Sequence, residues 1–184
     1  RKVGLDFENE DEKWDEWVVK SKCLSSGLPA KLRKAAASPS PQRLRELLLE
    51  AKELPRIARK KGKQVLTYSQ YVESPSPGSG RTALMLAAWR GCLENVQLLL
   101  DEGAEIDRYT QRSGNYGKTP LFYACTRCRD EIVVYLVERG ASLLIVNNKG
   151  QTPRSLAVSH LKEETLEYIV AQEKLQLEKF VESS

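Results

Sequence analysis

Apolar residues recur along this chain at helical spacing, in paired short segments, and the pairs themselves repeat. The stretch Gly80–Ala104, GRTALMLAAWRGCLENVQLLLDEGA, predicts one helix, a tight turn, a second helix and a glycine stop. A relative follows at Gly117–Ala141 and a weaker one at Gly150–Gln172. Each second helix carries an apolar triplet at i, i+3, i+4: Val96/Leu99/Leu100, Val133/Leu136/Val137 and Leu166/Ile169/Val170. Such a stripe covers one helix face and needs a neighbour to bury it. The copies begin 37 and then 33 residues apart, so the first connection carries four extra residues.

Within the copies, residue types recur column by column. Thr82, Thr119 and Thr152 precede the first helices. A threonine there can accept a free backbone N–H, an N-cap worth about 1 kcal/mol. Pro120 and Pro153 follow at the first helical position, where the missing N–H costs nothing. Ala87, Ala124 and Ala157 keep the first helices slim enough to approach one another. Gly103 and Gly140 end the second helices, where a left-handed residue is wanted. The third copy departs twice. Glu173 stands where the glycine should be, so its helix is expected to run on through LEYIVAQEKLQLEKF, and Arg154 replaces a core leucine. Both changes suit a terminal repeat whose outer face meets water.

The period and the Thr119-Pro120-Leu121-Phe122-Tyr123-Ala124 run resemble the ankyrin repeat family, whose signature is T-P-L-H-x-A at a period of about 33. Thr82-Ala83-Leu84-Met85-Leu86-Ala87 is similar, with Ala for Pro and Met for His. The family's histidine column is filled by Met85, Phe122 and Ser155, so its inter-repeat hydrogen bond is missing. The resemblance implies an all-α solenoid of three recognisable repeats plus a diverged N-terminal helical cap, with short β-hairpin fingers. One finger would be Asp107–Tyr116, turning at Ser113-Gly114-Asn115. It also implies a binding groove formed by finger tips and by the exposed ends of the first helices. Carried onto this chain, those ends are Trp89 and Arg90, Thr126 and Arg127, and Ser159 and His160.

Upstream of the repeats the pattern loosens. Residues 1–28 form an acidic arm in which Trp14 and Trp17 share one helical face with Val18. That face suits either a partner's groove, as a second interface, or the protein's own domain. Residues 29–53 read as a diverged capping repeat: a helix opened by Pro29, a Ser38-Pro39-Ser40-Pro41 turn, and a second helix with Leu44, Leu47 and Leu48. Residues 54–79 read as a long loop, basic and then Ser/Pro/Gly-rich, with strand-like residue types over 64–68. Repeats fill 80–172, and 173–184 extend the last helix.

Composition sharpens this only in places. The 184 residues carry a net charge of +4, unevenly spread. Residues 1–20 are net −3, residues 31–63 net +8 and residues 161–184 net −3. The four cysteines, Cys23, Cys92, Cys125 and Cys128, are no disulfide framework and point to a reducing intracellular compartment, cytoplasm or nucleus. Because the chain begins at Arg1, a targeting peptide ahead of it would direct it to an organelle matrix instead. No apolar run is long enough to predict membrane insertion.

Candidate chemistry is sparse. Cys125 and Cys128 form a CxxC, but a zinc site needs two further ligands and the sequence holds one histidine and no second CxxC. No catalytic, metal or cofactor site is expected. The expected function is a non-catalytic protein–protein interaction module, a scaffold or adaptor subunit of a larger assembly. Its partner would be gripped by Trp89, Arg90, Arg108, Tyr109, Arg112, Tyr116 and Arg127. The alternative is an RNA-associated subunit, with Arg59, Lys60, Lys61 and Lys63 meeting phosphates and the Arg/Tyr finger stacking bases.

Overall fold

The computed structural model describes residues 27–60, 66–111 and 116–182. Among these the chain is helical, with no strand. In chain order the helices are α1 (27–36), α2 (Gln42–Lys60), α3 (Tyr68–Val72), α4 (Ala83–Arg90), α5 (Leu93–Asp101), α6 (Pro120–Thr126), α7 (Asp130–Glu138), α8 (Pro153–His160) and α9 (Glu163–Glu182). Helices α4, α6 and α8 pack side by side as an inner row, and α5, α7 and α9 line up behind them. The pair α1/α2 sits at the N-terminal end of the stack.

The packing follows from the apolar stripes. Val96, Leu99, Val133, Leu136 and Ile169 are fully buried, and one core runs from Leu28 and Leu32 through Leu44, Leu47 and Leu48 to Ala157. Fully burying a leucine-sized side chain is worth about 1.5–3 kcal/mol, which no isolated unit could collect. Ala87, Ala124 and Ala157 have no exposed surface, so the inner helices touch through these small residues. Gly103 and Gly140 adopt left-handed φ values of +83° and +93° and end the second helices.

The threonine column is less uniform than the sequence suggests. Thr82 and Thr152 accept from the N–H groups of Met85 and Ser155. Thr119 makes no such bond, and its buried hydroxyl has no partner. Here Pro120 alone opens the helix.

Two expectations are corrected and a third is not shown. Helix α2 does not stop at residue 53 but continues through Pro55 to Lys60, because Leu54 and Ala58 extend its buried face. The strand-like run is not a strand where it is described. Thr67 and Gln70 close a capping box and Tyr68 begins α3, whose Tyr71 and Val72 are buried; residues 61–65 lie outside the described set. The first finger carries no assigned strand in its described part. Thr110 and Lys118 do face each other across it, the N–H of Thr110 donating to Lys118 O and that of Gly117 to Thr110 O.

Polar side chains tie one unit to the next. Asn95 of α5 is fully buried and donates through Nδ2 to the carbonyls of Ala36 (3.1 Å) and Ser38 (2.6 Å), closing the end of α1. A Glu73 oxygen accepts the Glu105 N–H, and the Asp107 carboxylate accepts the Ser142 N–H, at matching places after successive second helices. Gln176 of α9 ends this series by accepting from Leu143 and donating to Ala141 O. Helix α9 runs unbroken past Glu173, which pairs with Arg154 at 3.0 Å, so the two departures of the third copy meet each other. Its far end is not purely polar: Leu175, Leu177, Phe180 and Val181 are exposed.

Candidate functional site

Trp89 is the penultimate residue of α4 and Arg90 its last. Met85, one turn earlier, points into the core, which leaves Trp89 half-buried at the rim of the inner row. The helix stops there because Gly91 turns left-handed at φ +87°. That left-handed φ favours glycine, and a Cβ there would also make the Arg129 side chain, 2.7 Å away at Nε, move aside.

Three guanidinium groups gather on the one indole. Arg127, capping α6, lies 4.3 Å from the ring centroid, Arg90 4.8 Å and Arg81 5.2 Å. Arg81 precedes the Thr82 cap, so its side chain reaches along the inner row, where it also covers the Tyr123 ring at 4.9 Å. Each such contact is worth about 0.5–1 kcal/mol at an exposed site and more when water is excluded. Arg90 and Arg127 are exposed, Arg81 is half-buried, and Tyr123 is buried beneath them. The Arg81 Nε and the Tyr123 hydroxyl are buried without a hydrogen-bond partner.

The charge here is not neutralised. Arg43, Arg56, Arg108, Arg139 and Arg154 each meet a carboxylate. Among the described residues, Arg81, Arg90 and Arg127 meet none. Lys118 lies within electrostatic reach of Arg81: burial, then the charges of Lys149 and Arg81, push its pKa below the ordinary lysine value. The arrangement can hold anionic oxygens in guanidinium forks whose planes the aromatic rings set.

Beside the cluster a cleft of about 410 Å³ opens between the loop before Gly80 and the first finger. Pro75, Pro77, Thr82, Arg108, Tyr109 and Gln111 line it with Ser76 and Gly80. Tyr109 and Tyr116 are exposed and meet edge to face at 5.9 Å, while Arg108 is drawn to Glu105 at 3.5 Å. Of the expected binding residues, then, Trp89, Arg90 and Arg127 converge, Tyr109 and Tyr116 pair beside the cleft, and Arg108 lines the cleft while paired with Glu105. Arg112, Trp14, Trp17, Lys61 and Lys63 lie outside the described residues. Arg59 and Lys60 are exposed on the last turn of α2.

Sequence reasoning missed Arg81 and Tyr123. A signal existed: the residue between the leading glycine and the threonine is Arg81, then Lys118, then Gln151, so two of three copies carry a cation there. The CxxC divides. Cys125 is buried in the core, where desolvation pushes its thiol pKa up to about 12. Cys128 is exposed, with φ at +54°.

A family model described as ankyrin repeats in three copies matches residues 32–145 and again 107–179. Among curated proteins the chain is similar to Protein glp-1 of Caenorhabditis elegans, 35% identical over 98 residues, which is 50% of this chain and 8% of that protein. It is 37% identical over 81 residues to Ankyrin repeat and SAM domain-containing protein 6 of Mus musculus, covering 44% of this chain and 9% of the relative. It is 34% identical over 79 residues to the putative E3 ubiquitin-protein ligase XBAT35 of Arabidopsis thaliana, covering 42% and 17%. The chain thus spans less than a fifth of the length of each of these relatives.

Proposed function

The chain belongs to the ankyrin repeat family, and from that premise we propose that it is a non-catalytic scaffold or adaptor that grips a protein partner on the face of its inner helix row. Ankyrin repeats are protein–protein interaction modules, and no helix among the described residues is long and apolar enough to cross a membrane. The observation that carries the reading is the stack of Arg81, Arg90 and Arg127 on Trp89, charged, at the rim and without a carboxylate partner among the described residues. An aromatic anchor held by arginines is the residue combination that dominates binding energy at interfaces. Tyr109 and Tyr116 would extend the grip along the adjoining cleft. In the same reading the chain works in a reducing intracellular compartment, in keeping with the free thiols of Cys92, Cys125 and Cys128.

The test is affinity purification from the native cell with the Arg90→Ala/Arg127→Ala double variant as control. A specific partner should be retained by the parent chain and lost by the variant at unchanged helicity. Trp89→Ala should weaken that partner by about 2 kcal/mol or more. Equal retention by parent and variant would remove the function from this face. Recovery of RNA instead of protein, with affinity falling steeply as salt rises, would favour the RNA-associated alternative.

A further inference from the structure

We propose that the Arg81–Trp89–Arg90–Arg127 cluster is a phosphoryl-recognition site, and that the partner segment it takes is a peptide carrying a phosphorylated serine or threonine. The inference rests on the binding face proposed above and adds the chemistry of its ligand.

Three features carry it. First, three like charges crowd around one ring at 4.3, 4.8 and 5.2 Å from its centroid. One carboxylate cancels one of these charges. A phosphate monoester brings about −1.5 to −2 charges and three acceptor oxygens in one compact group, which matches a convergent set of forks. Second, the forks are partly preset. Arg81 is half-buried against both the Trp89 and Tyr123 rings, and Arg90 and Arg127 rest on the same indole, which restrains part of the side-chain freedom that binding would otherwise cost. The competing explanation, that these arginines exist to pair with the protein's own acids, is contradicted by the chain itself. Among the described residues no carboxylate reaches any of the three, and unlike the other arginines without an acid partner, such as Arg45 and Arg59, they converge on one ring. Third, the cleft beside Arg81 runs past Pro75, Pro77 and Tyr109, which offers an extended peptide a trough for the residues flanking the phosphoryl group.

The experiment uses the whole chain and fluorescein-labelled degenerate peptides with one fixed central position: phosphoserine, serine or glutamate. Binding is read by anisotropy at physiological ionic strength. The phosphoserine library should bind about tenfold or more tighter than the serine library. Arg127→Gln and Arg81→Gln should each abolish the difference, while Arg154→Gln, at the Glu173 pair, should leave it intact. Thermal melts of each variant check folding, and Arg127→Lys serves as a second variant that keeps the charge but loses the fork. A glutamate library that binds as tightly as the phosphoserine one would overturn the proposal, and so would equal binding of all three. A single-stranded oligouridine that outcompetes the phosphopeptide would overturn it in favour of nucleic acid. The two readings fail separately. A partner captured by the inner face that stays bound after phosphatase treatment leaves the interaction module standing and removes the phosphoryl site. A partner lost from the Arg90→Ala/Arg127→Ala variant and also released by phosphatase supports both.

Discussion

Cys128 takes the column where the first copy has Gly91, and it takes that column's backbone as well, with φ at +54°. A side chain with a Cβ is strained there by about 1–2 kcal/mol, while glycine enters freely at some entropic cost in the unfolded chain. Cys128→Gly is therefore expected to raise stability by up to about 1 kcal/mol, read as a higher denaturation midpoint, and Cys128→Val to lower it. A lower midpoint for the glycine variant would show that the turn carries no strain. Position 91 follows the same rule, since its φ of +87° already suits glycine and a Cβ there would also displace the Arg129 side chain. Gly91→Ala should cost stability and disturb the neighbouring Trp89 stack. Single columns of the repeat thus carried real structural content. What they lacked was any sign of which side chains would meet across copies.

At the scale of elements, the short insert helix α3 is held by one polar knot. The Tyr68 hydroxyl donates to Glu102 Oε2 at 2.6 Å, and Lys52 Nζ meets the same oxygen at 2.6 Å. Burial raises the Glu102 pKa, but the hydrogen bonds from Lys52 and Tyr68 and the Lys52 charge outweigh it, and the carboxyl titrates below its ordinary value. A depressed folded pKa means stability that is present above the unfolded value, about 4.3 for glutamate, and lost as pH falls through the folded one. Thermal melts should therefore fall as pH drops below about 4.3, and Glu102→Gln should flatten that fall while lowering stability at neutral pH. Burial raises the Glu73 and Asp107 carboxyls instead, so their contribution runs the other way and is lost as pH rises. Asn95 knots a second pair of elements, α5 to the end of α1. Asn95→Leu strips the buried Ala36 carbonyl and the part-buried Ser38 carbonyl of this donor and should cost about 1–3 kcal/mol. The loss should appear first as faster hydrogen exchange in α1 and α2. Uniform exchange along the whole stack would show that the N-terminal pair does not depend on this bond.

For the whole molecule, stability comes from contacts between neighbours, as expected of a stack in which each unit lends its stripe to the next. The same stacking builds the proposed binding face. Arg81 and Trp89 bracket one inner helix, and Tyr123 and Arg127 belong to the next. Their meeting therefore requires two copies in register, and a chain with α6 unfolded would lose the cluster even with α4 intact. The most informative single change is Trp89→Ala, since it removes the ring on which three cations rest without emptying the core.

The sequence alone determined the helix pairs, their order, the glycine stops and the solenoid. Those depend on spacing within a few turns and on backbone preferences that each residue carries with it. It also named Trp89, Arg90 and Arg127, because a repeat assigns positions to faces. Only the tertiary structure decided that Arg81 joins them and that α2 outruns its repeat. It also decided that Thr67 opens a helix where β-branched and aromatic types suggested a strand, and that Asn95 closes a helix far from it in the chain. Each of these rests on side chains separated by many residues and brought within a few ångströms. Local periodicity holds no record of such distances, which exist only once the units are stacked.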